Sequence, residues 1–181
     1  MESKCRVAVA NIVLIALLVS GAAYSAGRLE ESAEALKVPA SQALLLEAGA
    51  NGYQIYECKA AKDDPMRSEW VFKAPEADLF DRSGTKIGRH YAGPTWEAND
   101  GSKVVGEVRA KLDSPDAGAI PWLLLNAKEH YGDGEFAKVQ SIKRMQTSGG
   151  IAPSEGCTPE RIGAESRVPY KARYNFYGPK S

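Results

Sequence analysis

Histidine is scarce in this chain: His90 and His130 are the only two among 181 residues. They occur in no H-x-H or H-x-x-x-H spacing, so no local metal-binding motif can be built from them. A zinc or copper site would need both imidazoles to converge with a carboxylate such as Glu129 or Asp100. Three cysteines occur, Cys5, Cys58 and Cys157, and none forms a C-x-x-C pair, which removes the usual zinc and thiol-redox arrangements. No G-x-S-x-G elbow, P-loop, G-x-G-x-x-G turn or H-E-x-x-H helix is present, so the common hydrolase, nucleotide and dinucleotide classes have no support. Neither Ser83 nor Ser102 sits in a nucleophile motif. No cofactor is implied. A basic surplus is also missing. Lys and Arg total 23 against 23 acidic residues, and no basic run exceeds Lys143-Arg144, so a nucleic-acid partner is not expected.

The N-terminus has a distinct texture. Lys4 and Arg6 precede an apolar run from Val7 to Ala23, interrupted by Asn11, Ser20 and Gly21, and small residues follow through Ala26. A positive region, an apolar region and a small-residue site make up a secretory signal. The expected cut follows Ser25, with Ala23 or Ala26 as alternatives. An uncleaved anchor is the competing reading, but the run is at the short limit for crossing a bilayer. No stable membrane span is therefore expected after cleavage, and the mature chain is expected to be periplasmic or extracellular. Removing residues 1–25 takes away Lys4, Arg6 and Glu2, leaving 21 basic and 22 acidic side chains in 156 residues. That length suffices for one domain with a core. Cys5 leaves with the signal, and precedes the apolar run, so it is not placed as a lipid-attachment cysteine. The remaining pair, Cys58 and Cys157, reads as a disulfide in an oxidising compartment, with two free buried thiols as the alternative.

Residues 26–40 look like a polar leader with a short helix or a flexible entry. Residues 41–178 form one β-rich unit, because Gly, Pro, Asp and Asn punctuate short segments every 8–12 residues. This spacing predicts an all-β antiparallel sandwich or barrel-like domain with long loops. Tyr53 to Cys58 alternates, and Trp70 to Phe72 follows a polar turn at 62–65. Asp81-Arg82-Ser83-Gly84 and Asn99-Asp100-Gly101-Ser102 carry hairpin signals. Tyr91 to Glu97 and Lys103 to Lys111 read as extended flanks of the second hairpin. Pro121 to Leu125 reads as a central buried strand, and Val168 to Tyr177 as a closing strand. Tyr170 and Tyr174 share a parity there, so they line one face, exposed for binding or buried as core. Val139, Ile142 and Met145 recur at helical spacing, yet the flanking glycines favour a strand with Val139, Ser141, Lys143 and Met145 on one face.

Several stretches together carry a resemblance: Gly52 to Cys58, Ala74 to Leu79, Gly93 to Glu97 with Asp100-Gly101-Ser102, Ile120 to Leu125, Gly149-Gly150 with Cys157, and Val168 to Ala172. In order and spacing, from about Pro39 to Tyr177, the chain resembles the domain of unknown function 3455 family of secreted bacterial and fungal proteins. The resemblance implies an exported domain with no established activity, and it supplies no catalytic residues.

The residues themselves offer two functional readings. In the first, a non-catalytic module binds a small ligand or an envelope or extracellular partner through Trp96, Asp100 and Ser102. Trp96 would stack on a flat ligand, and Glu97 and Asp100 would bind its hydroxyls. In the second, a hydrolase or metal-dependent enzyme uses His90 with Glu97 or Asp100 for acid–base work. The plain structural alternative is that Asp100-Gly101 is only a turn and Trp96 only core. Convergence of His90, Glu97 and Asp100 in one cleft would favour the enzyme. The sequence leans away from it.

Overall fold

The computed structural model describes residues 34–180. The expected signal segment and residues 26–33 of the leader lie outside them. Among the described residues no helix is long and apolar enough to cross a membrane. Eight strands follow: β1 (Gln42–Ala60), β2 (Ser68–Phe80), β3 (Lys86–Tyr91), β4 (Thr95–Ala98), β5 (Lys103–Leu112), β6 (Trp122–Tyr131), β7 (Ser141–Gly149) and β8 (Glu165–Pro179). Each pairs antiparallel with its neighbour in sequence, and β8 returns to β1, so the single sheet closes into an irregular barrel. Closure leaves no free sheet edge. An eight-stranded ring is just wide enough for side chains to fill, or to hold one small ligand.

The strands are longer than the punctuation suggests, 19 residues in β1 and 15 in β8. Gly49 and Gly52 lie inside β1 and do not end it. A Cβ on Gly52 would fall 2.1 Å from the Glu76 carbonyl oxygen, so glycine permits a close approach of β2. Tyr91 to Glu97 is not one extended flank. A turn at 92–94, with a cis Gly93-Pro94 peptide and φ +135° at Gly93, separates β3 from β4. Pro121 to Leu125 is not central either, since a closed ring has no centre strand. The extended readings of Tyr53 to Cys58, Trp70 to Phe72, Lys103 to Lys111 and the closing strand Val168 to Tyr177 hold, and the region after Gln140 is a strand, β7. Its inward face, however, is Ile142 and Arg144, paired across to Phe176 and Tyr174 of β8.

Small residues sit beside large ones on neighbouring strands. Ala48 and Gly52 of β1 pair with Tyr174 and Tyr170 of β8, and Ala50, Ala77 and Ala98 are all buried. The space they leave is filled by Trp96, Tyr174, Phe176 and Phe136. Trp96 meets Tyr174 and Phe176 edge-on, with ring centres 5.3 and 6.1 Å apart. Such pairs contribute roughly 0.5–1.5 kcal/mol each beyond area burial. Tyr170 and Tyr174 are thus interior residues.

Chain direction alternates along the ring, so the connections sort to two ends. The β1–β2, β3–β4, β5–β6 and β7–β8 connections share one end. The β2–β3, β4–β5 and β6–β7 connections share the other. Both predicted hairpin turns lie at this second end. Asp81 accepts hydrogen bonds from Ser83 and Thr85 backbone N–H groups, and Gly101 has φ +85° with nothing within 4 Å of an added Cβ. The cost of a side chain at Gly101 is therefore backbone strain alone, about 1–2 kcal/mol. Gly101→Val is expected to lower the melting temperature by roughly 2–8 °C. An unchanged thermal unfolding curve would show that the turn does not need the left-handed conformation.

At the first end, Cys58 at the close of β1 is bonded to Cys157 in the β7–β8 connection, with Cα atoms 5.3 Å apart. The same connection is held by Trp70 Nε1, which donates to the Glu155 carbonyl at 2.8 Å, and by the Tyr56 hydroxyl, which donates to the Gly150 carbonyl at 2.6 Å. A disulfide fits an oxidising compartment.

Candidate functional site

Strand alternation decides the fate of the residues singled out in the sequence. His90 and Trp96 are direct cross-strand partners on β3 and β4, as are Arg89 and Glu97 one position along. Neighbouring positions face opposite sides of a sheet. His90 and Trp96 therefore point into the barrel, 2% and 1% exposed, while Glu97 points out.

Glu97 is committed to the outer surface. It accepts hydrogen bonds from the Tyr91 hydroxyl at 2.7 Å and from Arg89 Nη2 at 3.0 Å, with Lys103 at 3.4 Å. The Tyr91 and Arg89 hydrogen bonds, with the adjacent cations, hold its carboxyl down to about 2. Such a group stays ionised at neutral pH and is poorly suited to shuttle protons.

Asp100 and Ser102 lie in the β4–β5 turn, at the opposite end of the barrel from the β3–β4 turn. Asp100 accepts the Ser102 hydroxyl at 2.6 Å and backbone N–H groups of Ser102 and Glu135, each at 2.8 Å. The Ser102 hydroxyl in turn accepts the Phe136 N–H at 3.1 Å. These bonds tie the β4–β5 turn to the β6–β7 connection, and those with Ser102, followed by Glu135, depress the Asp100 pKa. His90, Glu97 and Asp100 do not meet in one cleft. Trp96 lines a pocket with residues of the β3–β4 turn, while Asp100 and Ser102 lie in the β4–β5 turn at the other end.

His130 is on β6, with Nε2 2.6 Å from the Val139 carbonyl oxygen. Among the described residues no group of three or more His, Cys, Asp or Glu side chains is placed to hold a metal ion.

What gathers around His90 is different. A pocket of about 320 Å³ opens in the half of the barrel that carries the β3–β4 turn. Leu123, Leu125, Pro75 and Pro94 form apolar walls, and Phe72 and Val108, each 51% exposed, also line it. Its polar groups are His90, Lys73, Arg144 and Tyr174. His90 Nδ1 lies 2.8 Å from the Thr95 carbonyl. A carbonyl only accepts, so Nδ1 carries the proton, and Nε2 of the neutral ring is an acceptor. The imidazole stacks on Trp96, ring centres 4.4 Å apart at 13°. Burial pushes its pKa down to about 3, aided by the charge of Arg144 and opposed by the Thr95 bond.

Arg144 is half-buried, and its Nε and Nη2 both donate to the Pro121 carbonyl, at 3.0 and 2.8 Å. Among the described residues the buried Tyr174 hydroxyl has no partner at hydrogen-bond geometry. Burial raises its pKa, and the nearby Arg144 and Tyr170 counteract this without making a well-formed bond to it. Trp96 Nε1 is also buried without a partner. Orphaned buried donors are uncommon and costly, about 1–3 kcal/mol each.

Sequence reasoning named Trp96 and His90, left Tyr174 open between binding and core, and missed Arg144 as a site residue. The available signal was the parity of Arg144 with Ile142: a charge two positions from a core residue on one strand belongs to the same face.

A search of curated proteins and one of solved structures returned no match. The family model described as "Protein of unknown function (DUF3455)" matches residues 39–178, the span that runs from just before β1 almost to the end of β8. The chain belongs to the DUF3455 family.

Proposed function

We propose that this is an exported, non-catalytic module that binds a small ligand inside the β3–β4 end of its barrel. One observation carries the reading: an eight-stranded ring that is packed with side chains in one half leaves about 320 Å³ in the other, walled by apolar side chains and supplied with a few inward polar groups. That combination is the usual make-up of a small-molecule site. Export is supported by the signal-like N-terminus and by the Cys58–Cys157 bond.

His90 also suits a binding role better than an acid–base role. Its Nδ1 is occupied by a backbone carbonyl and not by a carboxylate that would stabilise an imidazolium. It is neutral across the physiological range and offers a fixed acceptor.

The test is a small-molecule panel read by thermal shift on the wild type and on Val108→Trp, which places a bulky ring at a half-exposed lining position. A ligand at 100 times its dissociation constant contributes about 2.7 kcal/mol to the folded state, or roughly 5–10 °C. The wild type is expected to respond and the variant to lose the response. Hits that shift both proteins equally would place binding elsewhere.

A further inference from the structure

We infer that the barrel pocket takes a small carboxylate with an apolar body, its head group held by Arg144 and the Tyr174 hydroxyl. This deepens the pocket-binding reading above and rests on it.

Charge is the first argument. Two cations, Lys73 and Arg144, line the pocket, and no Asp or Glu does. Lys73 is already compensated: Glu165 and Glu57 lie within ion-pair distance of it. Arg144 has no carboxylate within ion-pair distance among the described residues. A half-buried guanidinium without a counter-ion, facing apolar walls, favours an anion.

Hydrogen-bond capacity is the second argument. A guanidinium has five N–H donors in a planar fork, and the Pro121 carbonyl takes two. Three remain. The pocket-lining residues Tyr174 and Trp96 add an O–H and an N–H that have no partner at hydrogen-bond geometry among the described residues. Donors are in surplus, so the matching head group is rich in acceptors. A carboxylate meets both conditions, because it accepts from an arginine fork and a hydroxyl together. A neutral amide or alcohol meets only the second in part, and an ammonium meets neither.

Shape is the third. Leu123, Leu125, Pro75, Phe72 and Val108 surround the remainder of the pocket and provide only dispersion and desolvation, which suits a hydrocarbon chain or ring.

Isothermal titration of the full mature chain with octanoate, 1-octanol and octylamine tests the assignment. Octanoate is expected to bind the wild type roughly 10- to 100-fold more tightly than octanol, with octylamine weakest. Arg144→Gln is expected to erase the preference, because octanoate loses far more affinity than octanol. Tyr174→Phe is expected to reduce octanoate binding several-fold and octanol binding by less. Equal affinity of octanoate and octanol for the wild type overturns the carboxylate assignment and leaves the pocket-binding reading standing. So does an octanoate preference that survives in Arg144→Gln. A wild type that binds none of the three overturns this assignment, and the wider reading is then decided by the Val108→Trp comparison. The wild-type ranking decides the matter by itself if a variant does not fold.

Discussion

Replacing Cys58 and Cys157 together by alanine lowers the stability of the domain by about 2–5 kcal/mol. The two residues lie 99 positions apart, and closing a loop of about that length removes roughly 4.7 kcal/mol of unfolded-chain entropy in the simple model. Cys58 is fully buried at the end of β1, where its backbone N–H donates to Ala164 and its carbonyl accepts from Gly163, both at 2.9 Å. The covalent tie thus reinforces a place where the β7–β8 connection already runs against β1. For a chain of this size the loss corresponds to roughly 5–20 °C in melting temperature. Wild-type protein unfolded in the presence of a reductant is expected to match the double variant. Coincident denaturation curves for oxidised wild type, reduced wild type and the double variant would mean the bond contributes nothing to stability.

Acid weakens the fold through His90. Its imidazole is buried and neutral, with a pKa near 3 in the folded chain against an ordinary value of 6.5. Between these values the unfolded chain binds a proton that the folded chain refuses. Stability is therefore full above pH 6.5 and falls as pH drops toward 3. The total is on the order of 5 kcal/mol. About 2 kcal/mol of it is lost between pH 7.5 and pH 5. Carboxylates such as Glu97, whose ordinary value is 4.5 and whose folded value is about 2, add a loss of the same sign below that window. His90→Gln keeps an N–H to offer the Thr95 carbonyl and has nothing to titrate. Melting temperatures measured from pH 7.5 to 5 are expected to fall in the wild type and to stay level in the variant. Parallel slopes in the two proteins would show that His90 is not held neutral by the fold.

The acid response and the proposed ligand site share one contributor, the charge of Arg144. Around the buried imidazole of His90 no carboxylate lines the pocket to stabilise a positive charge, while a negative ligand group would meet Arg144 and donors without partners at hydrogen-bond geometry. Burial, the main cause of His90's neutrality, disfavours any charge, whereas the Arg144 charge both opposes an imidazolium and attracts an anion.

Much of this was legible in the residue order. An all-β domain followed from short alternating segments and regular turn signals. The Ser83-Gly84 and Asp100-Gly101 turns have local causes, since glycine relieves the positive φ and a preceding Asp caps the backbone. Cys58 and Cys157 were the only pair left for an exported chain. The alternation of Val168 to Tyr177 marks a strand with one buried face. Each of these depends on neighbours in sequence or on simple counting.

Closure, orientation and the site were decided only by the tertiary structure. Period-two alternation says which residues share a face, but not which face turns inward. His90 and Glu97 looked like partners because they are close in sequence, yet opposite parity places them on opposite sides of the sheet. Irregularities compound this. The register shifts between Ile55 and Tyr56 and between Met145 and Ser148, and one extra residue reverses the parity of everything beyond it. Arg144 became a site residue because β8 closes the ring beside β7 and carries Tyr174 to it from 30 positions away. No local pattern encodes that pairing, which arises from burying the aromatic face of β8 against the small residues of β1.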